Sequence, residues 1–352
     1  MHTVDQEVGR MILRITSTLR KRLGMYAQQA ARQHPMSGLL ASAVAEFVLR
    51  PGAKRTRGLL VLIGYLSNSQ RQLDEDILRI AAAYEVLHGY LLIHDDIIDE
   101  DIERRGKPTL HKLFTRLAPA RLPKTYQAKI GRDIAIIAGD AAADLVQRFV
   151  LETSFSSRQQ LSTLRQIEET LHTTYVGQVL DILALPGRLP RLSDQLLRYR
   201  LKTAQYSIAA PFLVGAALAG SRFNATAFRK FAEHAGIGFQ LADDVANIFG
   251  EGAAARNSDI RSGKVTLLMT LALQSSRYRQ PLLKLLKKTK RSPSDVRELQ
   301  RLIRSSGGLT RAQQMISERY QRAEALVDHL GVSARGLALI RWLIARFRAS
   351  VT

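Results

Sequence analysis

The stretch LLIHDDIIDEDIERRGKPTLH, Leu91 to His111, sets an acidic cluster at the end of an apolar run. Asp95, Asp96, Asp99, Glu100 and Asp101 follow Leu91, Leu92 and Ile93, and Arg104, Arg105 and Lys107 come directly after. Packing does not gather carboxylates beside leucine and isoleucine, because a buried charge is costly unless it is paired. Upstream, Ile77, Ile80, Ala81, Tyr84, Leu87 and Leu91 repeat at three and four, the period of an amphipathic helix. On that helix Asp95 and Asp99, four apart, share a face, with Asp96 beside them. Carboxylates converging at a helix end with no Cys ligand suit a hard, oxygen-seeking cation. Magnesium is the natural candidate, because it takes one or two carboxylates and completes its shell with water and phosphate oxygens.

The same arrangement recurs. FQLADDVANIFGE places Asp243 and Asp244 at the end of a second apolar helix, with Asn247 and Glu251 further along the face of Asp243. Two acidic clusters that faced each other without cations would repel. A cavity holding several magnesium ions and a polyanion resolves the conflict. Lys54 and Arg57 in PGAKRTRG, Arg104 and Arg105, Lys202 in YRLKTA, and Lys264 in SDIRSGKVTLL supply cations for that polyanion. Arginine in particular suits bidentate phosphate contacts.

The pattern is helical almost throughout, and breaks at Arg50-Pro51-Gly52, Leu117 to Lys124, Leu185 to Ser193, Glu251 to Gly263 and Ser305 to Gly308 are too short to be linkers. The expectation is one all-α domain over residues 1–352, with motifs within about 50–268 and basic helices over 280–350. Tyr206 to Gly220 is too short to span a bilayer, contains Pro211, and reads as a buried core helix. The chain has no cysteine, so disulfides and thiolate metal sites are excluded. Its first residues do not have the pattern of a signal peptide, and a cytoplasmic location is expected.

The formal charge of +21 attracts polyanions. A non-catalytic nucleic-acid or membrane binder would leave the paired acidic clusters unexplained, since they repel a phosphate backbone. No nucleic-acid partner is therefore expected, while a peripheral contact with an anionic membrane fits the charge.

Seven stretches, GAKRTR, EVLHGYLLIHDDIIDEDIERRGKPTLH, IAIIAGD, TTYVGQVLDI, RLKTA, GIGFQLADDV and SDIRSGKVTLL, stand in the order of a known family. The chain resembles the trans-isoprenyl diphosphate synthases, the polyprenyl synthetase family, over about Arg50 to Leu268. The resemblance implies an isoprenoid synthase helical bundle around a deep central cavity, a homodimer, and the condensation of isopentenyl diphosphate with an allylic diphosphate. It implies magnesium, expected as three ions, with Asp95, Asp96, Asp99, Asp181, Asp243 and Asp244 as its ligands. Arg104, Lys202, Thr203, Gln240 and Lys264 would contact the allylic diphosphate; Lys54, Arg57, His88 and Arg105 would hold isopentenyl diphosphate. Gln178 and Asp140 match the family pattern and are expected in structural hydrogen bonds.

Departures from the pattern lie in the second cluster, where Asn247 replaces a third carboxylate, and in the loop after it, where Arg256 stands near Ala254 for a common lysine. Asp243, Asn247 and Glu251 also resemble the second metal motif of class I terpene cyclases. A cyclase would not need Lys54, Arg57, His88 and Arg105, so prenyl transfer is favoured. Tyr90 and Leu91, five and four positions before Asp95, would form the floor that stops the growing chain. An aromatic at Tyr90 resembles geranylgeranyl diphosphate synthases, with farnesyl diphosphate as the second choice.

Overall fold

The structure is a computed structural model that describes residues 2–68, 70–184, 191–250, 260, 263–288 and 290–349. It is built almost wholly from helices, as the apolar period requires. In chain order these are α1 (His2–Gln33), α2 (Pro35–Val48), α3 (Thr56–Leu66), α4 (Glu75–Ile98), α5 (Leu110–Phe114), α6 (Lys124–Leu151), α7 (Ser157–Ile182) and α8 (Leu192–Tyr199). After a π-helical segment (Arg200–Ala209) come α9 (Ala210–Leu218), α10 (Ala225–Phe249), α11 (Leu267–Leu273), α12 (Ser276–Leu286), α13 (Pro293–Ser305), α14 (Gly308–Val327) and α15 (Ala334–Ala349). The one departure among the described residues is a two-stranded antiparallel ribbon, β1 (Glu103–Arg104) and β2 (Lys107–Pro108), turned at Gly106.

Two compact units emerge. The first comprises residues 1–165 and 214–221, the second residues 166–213 and 222–352.

In the first unit α4 is set by its ends. The Asp74 side chain caps it by accepting the Ile77 amide at 2.9 Å, and Glu75 and Asp76 face the positive end of the helix dipole. Its middle, from Ile80 to Leu87, is buried throughout, Glu85 included. The helix stops at Ile98, with Asp99 as its C-cap and Glu100 in the left-handed region at φ 55°. The acidic cluster is thus the terminus of a core helix, where chain direction changes and carboxylates reach solvent.

In the second unit Phe212, Phe228 and Phe231 form an aromatic core, with the Phe212 and Phe228 rings stacked at 3.7 Å. The Asn224 side chain caps α10 through the Ala227 amide at 3.0 Å. The run expected as a single buried helix, Tyr206 to Gly220, divides between the π-helical segment and α9, mostly buried. Pro211 gives the reason: it has no N–H to donate and its ring crowds the preceding turn, which widens.

Candidate active site

The first unit gathers cations and carboxylates where α4 ends. Asp95 is partly buried and Asp99 exposed, whereas Asp96 is 1% exposed and turned inward. Arg104 on β1 donates through Nε to Asp96 Oδ1, and through Nη2 to Asp101 at 3.2 Å. Burial outweighs that pairing and raises the Asp96 carboxyl to about 7. The ribbon carrying Arg104 is fixed by buried Arg50, which donates to the carbonyls of Arg104 at 3.2 Å and Pro108 at 2.6 Å. Lys107 adds an ion pair to Glu46 at 2.9 Å.

Around His88 the field is positive. Burial, then the guanidinium groups of Arg57, Arg105, Arg104 and Arg55, drive its pKa well below the ordinary histidine range, so the ring is neutral. Burial and the guanidiniums of Arg55 and Arg104 pull Arg105 down to about 10. Arg55 is itself placed by a buried pair with Glu85 at 3.5 Å and by the Val48 carbonyl at 2.8 Å. Lys54 is exposed at the entrance to α3. Arg55 and Arg105 both adopt left-handed backbone, at φ 52° and 54°. For residues with side chains this conformation costs free energy, and such positions cluster at functional sites.

The second unit builds a different cluster. Asp181 on α7, 7% exposed, accepts Lys202 Nζ at 2.7 Å and Lys264 Nζ at 2.6 Å on one oxygen, and meets Arg198 at 3.0 Å on the other. Although burial opposes ionisation, these three cations hold the carboxyl below the ordinary carboxylate range. Lys202 comes this close because Gly177, one turn before Asp181, lies against the Lys202 backbone, where a Cβ would stand 2.6 Å from its nitrogen. Arg198 and Gln195 also bond the Val265 carbonyl, both at 3.2 Å, which positions the segment bearing Lys264.

Beside it runs a chain of hydrogen bonds. Thr203 donates to Gln240 at 2.8 Å, and Gln240 to Asp244 Oδ1 at 3.1 Å. The Tyr199 hydroxyl donates to Asp244 Oδ2 and accepts the Leu267 amide at 3.0 Å. Asp244 is buried with both oxygens engaged, while Asp243 is exposed.

The expected ligand residues therefore differ in character. Asp95 and Asp99 stand at the end of α4, while Asp243 is on the exposed side of α10 within the helix, which continues to Phe249 and does not close at the aspartates as the sequence suggested. Asp96 and Asp244 are turned inward to Arg104 and to Tyr199 with Gln240, and Asp181 is enclosed by three cations. No three carboxylate or histidine side chains among the described residues form a ready-made metal cage. That donor set still fits magnesium, which takes few carboxylates and draws its other ligands from water and phosphate. Glu251, Ala254 and Arg256 lie outside the described residues.

Tyr90 is partly buried and meets His94 edge to face at 5.0 Å. His94 Nδ1 lies 3.2 Å from the Tyr90 carbonyl, and Nε2 lies 3.6 Å from Asp140. Asp140 is exposed and lies beside His94 at a distance too long for the structural hydrogen bond expected of it. Gln178 also departs from expectation: its Nε2 is buried with no hydrogen-bond partner among the described residues. Sequence reasoning missed Arg50, Arg55, Glu85, Arg198 and Tyr199. For Arg198 a signal existed, its spacing of four before Lys202.

Comparison with known proteins points to one family. The family model described as polyprenyl synthetase matches residues 39–303. A short chain isoprenyl diphosphate synthase of Methanocaldococcus jannaschii is 30% identical over 66% of this chain and 65% of its own length. A geranylfarnesyl diphosphate synthase of Aeropyrum pernix is 28% identical over 86% of this chain and 92% of its own. Among solved structures, a geranylgeranyl pyrophosphate synthase from Corynebacterium glutamicum, complexed with isoprenyl diphosphate and magnesium, is 28% identical. It superposes with a TM-score of 0.84 over 95% of this chain and 98% of its own. The all-α expectation and the expected fold hold. The names of these relatives differ in product.

Proposed function

The chain belongs to the polyprenyl synthetase family, a family of trans-prenyltransferases, and from that premise we propose that it condenses isopentenyl diphosphate with an allylic diphosphate, head to tail. The observation that carries this reading is the cluster of guanidinium groups in the first unit, Arg55, Arg57, Arg104 and Arg105 about His88, with Arg55 held by Glu85, Arg104 by Asp96, and Arg55 and Arg105 in left-handed backbone. An enzyme that only ionises and cyclises one diphosphate would not need a second phosphate pocket in the first unit. Lys54, Arg57, His88 and Arg105 are the proposed contacts of isopentenyl diphosphate.

The allylic diphosphate is assigned to Arg104, Lys202, Thr203, Gln240 and Lys264. Asp95, Asp99 and Asp243 are the proposed direct ligands of magnesium, taken as three ions. Asp96 and Asp244 would orient Arg104 and Gln240, and Asp181 would hold Lys202 and Lys264. When bound, magnesium supplies charge neutralisation and Lewis-acid stabilisation of the departing oxygen. Lys202 and Lys264 receive the diphosphate as the carbon–oxygen bond breaks. The double bond of isopentenyl diphosphate then attacks the allylic cation, and loss of a proton completes a chain longer by five carbons. Apolar side chains exclude the water that would quench the cation.

Tyr90 and Leu91 are proposed as the floor, about 6–8 Å below Asp95 along the helix axis, and the product as geranylgeranyl diphosphate. A homodimer fits α7. Its buried face in the second unit is largely Thr170, Thr174, Gly177 and Asp181, while Tyr175, Val176, Val179, Ile182 and Leu183 are exposed. An outward apolar stripe of this kind suits a second copy. No described helix is long and apolar enough to cross a membrane. Turnover that persists in full after exhaustive chelation would exclude the proposed chemistry.

A further inference from the structure

A cavity of about 580 Å³ lies in the first unit among α1, α4 and α6, lined by none of the residues assigned to the reaction. Its size falls within the range of small-molecule sites, about 300–1,000 Å³. The lining has two characters. Arg22, Arg32, Arg79 and Arg148 bring four guanidinium groups, against the carboxylate of Glu152. Met25, Tyr26, Leu145 and Phe149 bring apolar surface.

Three of these arginines are held in place. Arg148 donates to Glu152 at 2.7 Å and to Gln29 at 2.7 Å, and its guanidinium lies 5.3 Å from the centre of the Tyr26 ring. Arg22 meets the other oxygen of Glu152 at 3.4 Å. Arg79 donates to the Glu152 carbonyl, while its Nε is buried and meets no hydrogen-bond partner among the described residues. On α1 the lining residues Arg22, Met25, Tyr26, Gln29 and Arg32 recur at three and four, so one helix face carries both the cations and the apolar side chains.

We propose that this cavity binds an anionic phosphoester carrying an apolar chain, its phosphate on the arginines and its chain on Met25, Tyr26, Leu145 and Phe149. Guanidinium groups match phosphate oxygens bidentately, and a bare inorganic anion would leave the apolar lining unused. The chemistry is shared by a lipid headgroup in a bilayer and by a free single-chain phosphate.

The test is calorimetric titration of the full chain with dodecyl phosphate below its micelle concentration, in chelator so that metal-dependent binding is silent, and in moderate salt. Wild type should bind one equivalent, and methyl phosphate should bind at least about tenfold more weakly. Arg22→Gln and Arg32→Gln, at partly buried and exposed positions, should each weaken binding about tenfold with helicity unchanged. Lys202→Gln should leave it intact. Absence of saturable binding, retention in both arginine variants, or loss in Lys202→Gln would overturn the proposal. Co-sedimentation with phosphatidylglycerol but not phosphatidylcholine vesicles, lost in Arg22→Gln, would assign the headgroup to a bilayer. Binding of the monomeric amphiphile without vesicle binding would assign it to a free ligand.

Discussion

Lys202 Nζ lies 2.7 Å from Asp181 Oδ2, and the same oxygen receives Lys264 at 2.6 Å. One buried carboxylate thereby holds two ammonium groups, with Arg198 on its other oxygen. The lysines are spaced before any substrate arrives, and the cluster keeps excess positive charge for a diphosphate. Asp181→Asn should leave three cations repelling one another. The expected result is a fall of about 10²-fold or more in kcat/KM for the allylic substrate. The KM for isopentenyl diphosphate should change little. Steady-state kinetics with each substrate varied in turn will check this; near-wild-type kinetics would mean the pairing is idle.

Arg57 and His88 are the proposed contacts of the other diphosphate. Loss of one charge-assisted contact costs about 1.5–3 kcal/mol, or about 10–100-fold. Arg57→Ala should raise the KM for isopentenyl diphosphate by that factor and the KM for the primer far less. Equal effects on both would contradict separate pockets.

Tyr90 and His94 share an edge-to-face contact, and His94 packs where a Cβ on residue 139 would stand 2.1 Å from its Cε1. Tyr90→Ala removes the ring from the proposed floor and should lengthen the product by one or more five-carbon units. Chromatography of the dephosphorylated products reads this directly. An unchanged distribution at good activity would remove Tyr90 from length control.

His111 on α5 is buried, and burial with Lys112 and Arg132 nearby lowers its pKa to about 4. In the unfolded chain histidine titrates near 6.5. Between those values the unfolded state binds more protons, so stability falls as pH drops from about 6.5 to about 4, by at most about 3 kcal/mol. Urea midpoints across that range should fall more steeply for wild type than for His111→Gln. Parallel slopes would show that the ring titrates normally.

The helical architecture was legible because α4 and α10 carry an unbroken apolar period, which no strand pattern mimics. Asp95 and Asp99 are at the end of α4 as their spacing requires, whereas Asp243 is not at a helix end, because α10 continues past it to Phe249. The inward turn of Asp96 and Asp244 was not legible, because adjacent aspartates look alike in sequence until the partner is placed. Those partners, Arg104 at a distance of eight and Tyr199 at forty-five, are set by tertiary packing. The π-helical segment escaped for a similar reason. Pro211 announces an interruption, yet nothing local says that the preceding turn widens and does not break. Arg50 marked only a break in the helical pattern and Arg55 stood in GAKRTR without a role; their use as braces depends on Pro108, Val48 and Glu85 coming near.

The most direct measurement is incubation of the purified protein with magnesium, labelled isopentenyl diphosphate and primers of five, ten and fifteen carbons, followed by chromatography of the dephosphorylated products. The account predicts label in linear all-trans prenyl alcohols, chiefly of about twenty carbons, and none when magnesium is chelated. Absence of label from any elongated product, or conversion of the primer alone to cyclic hydrocarbon, would contradict it.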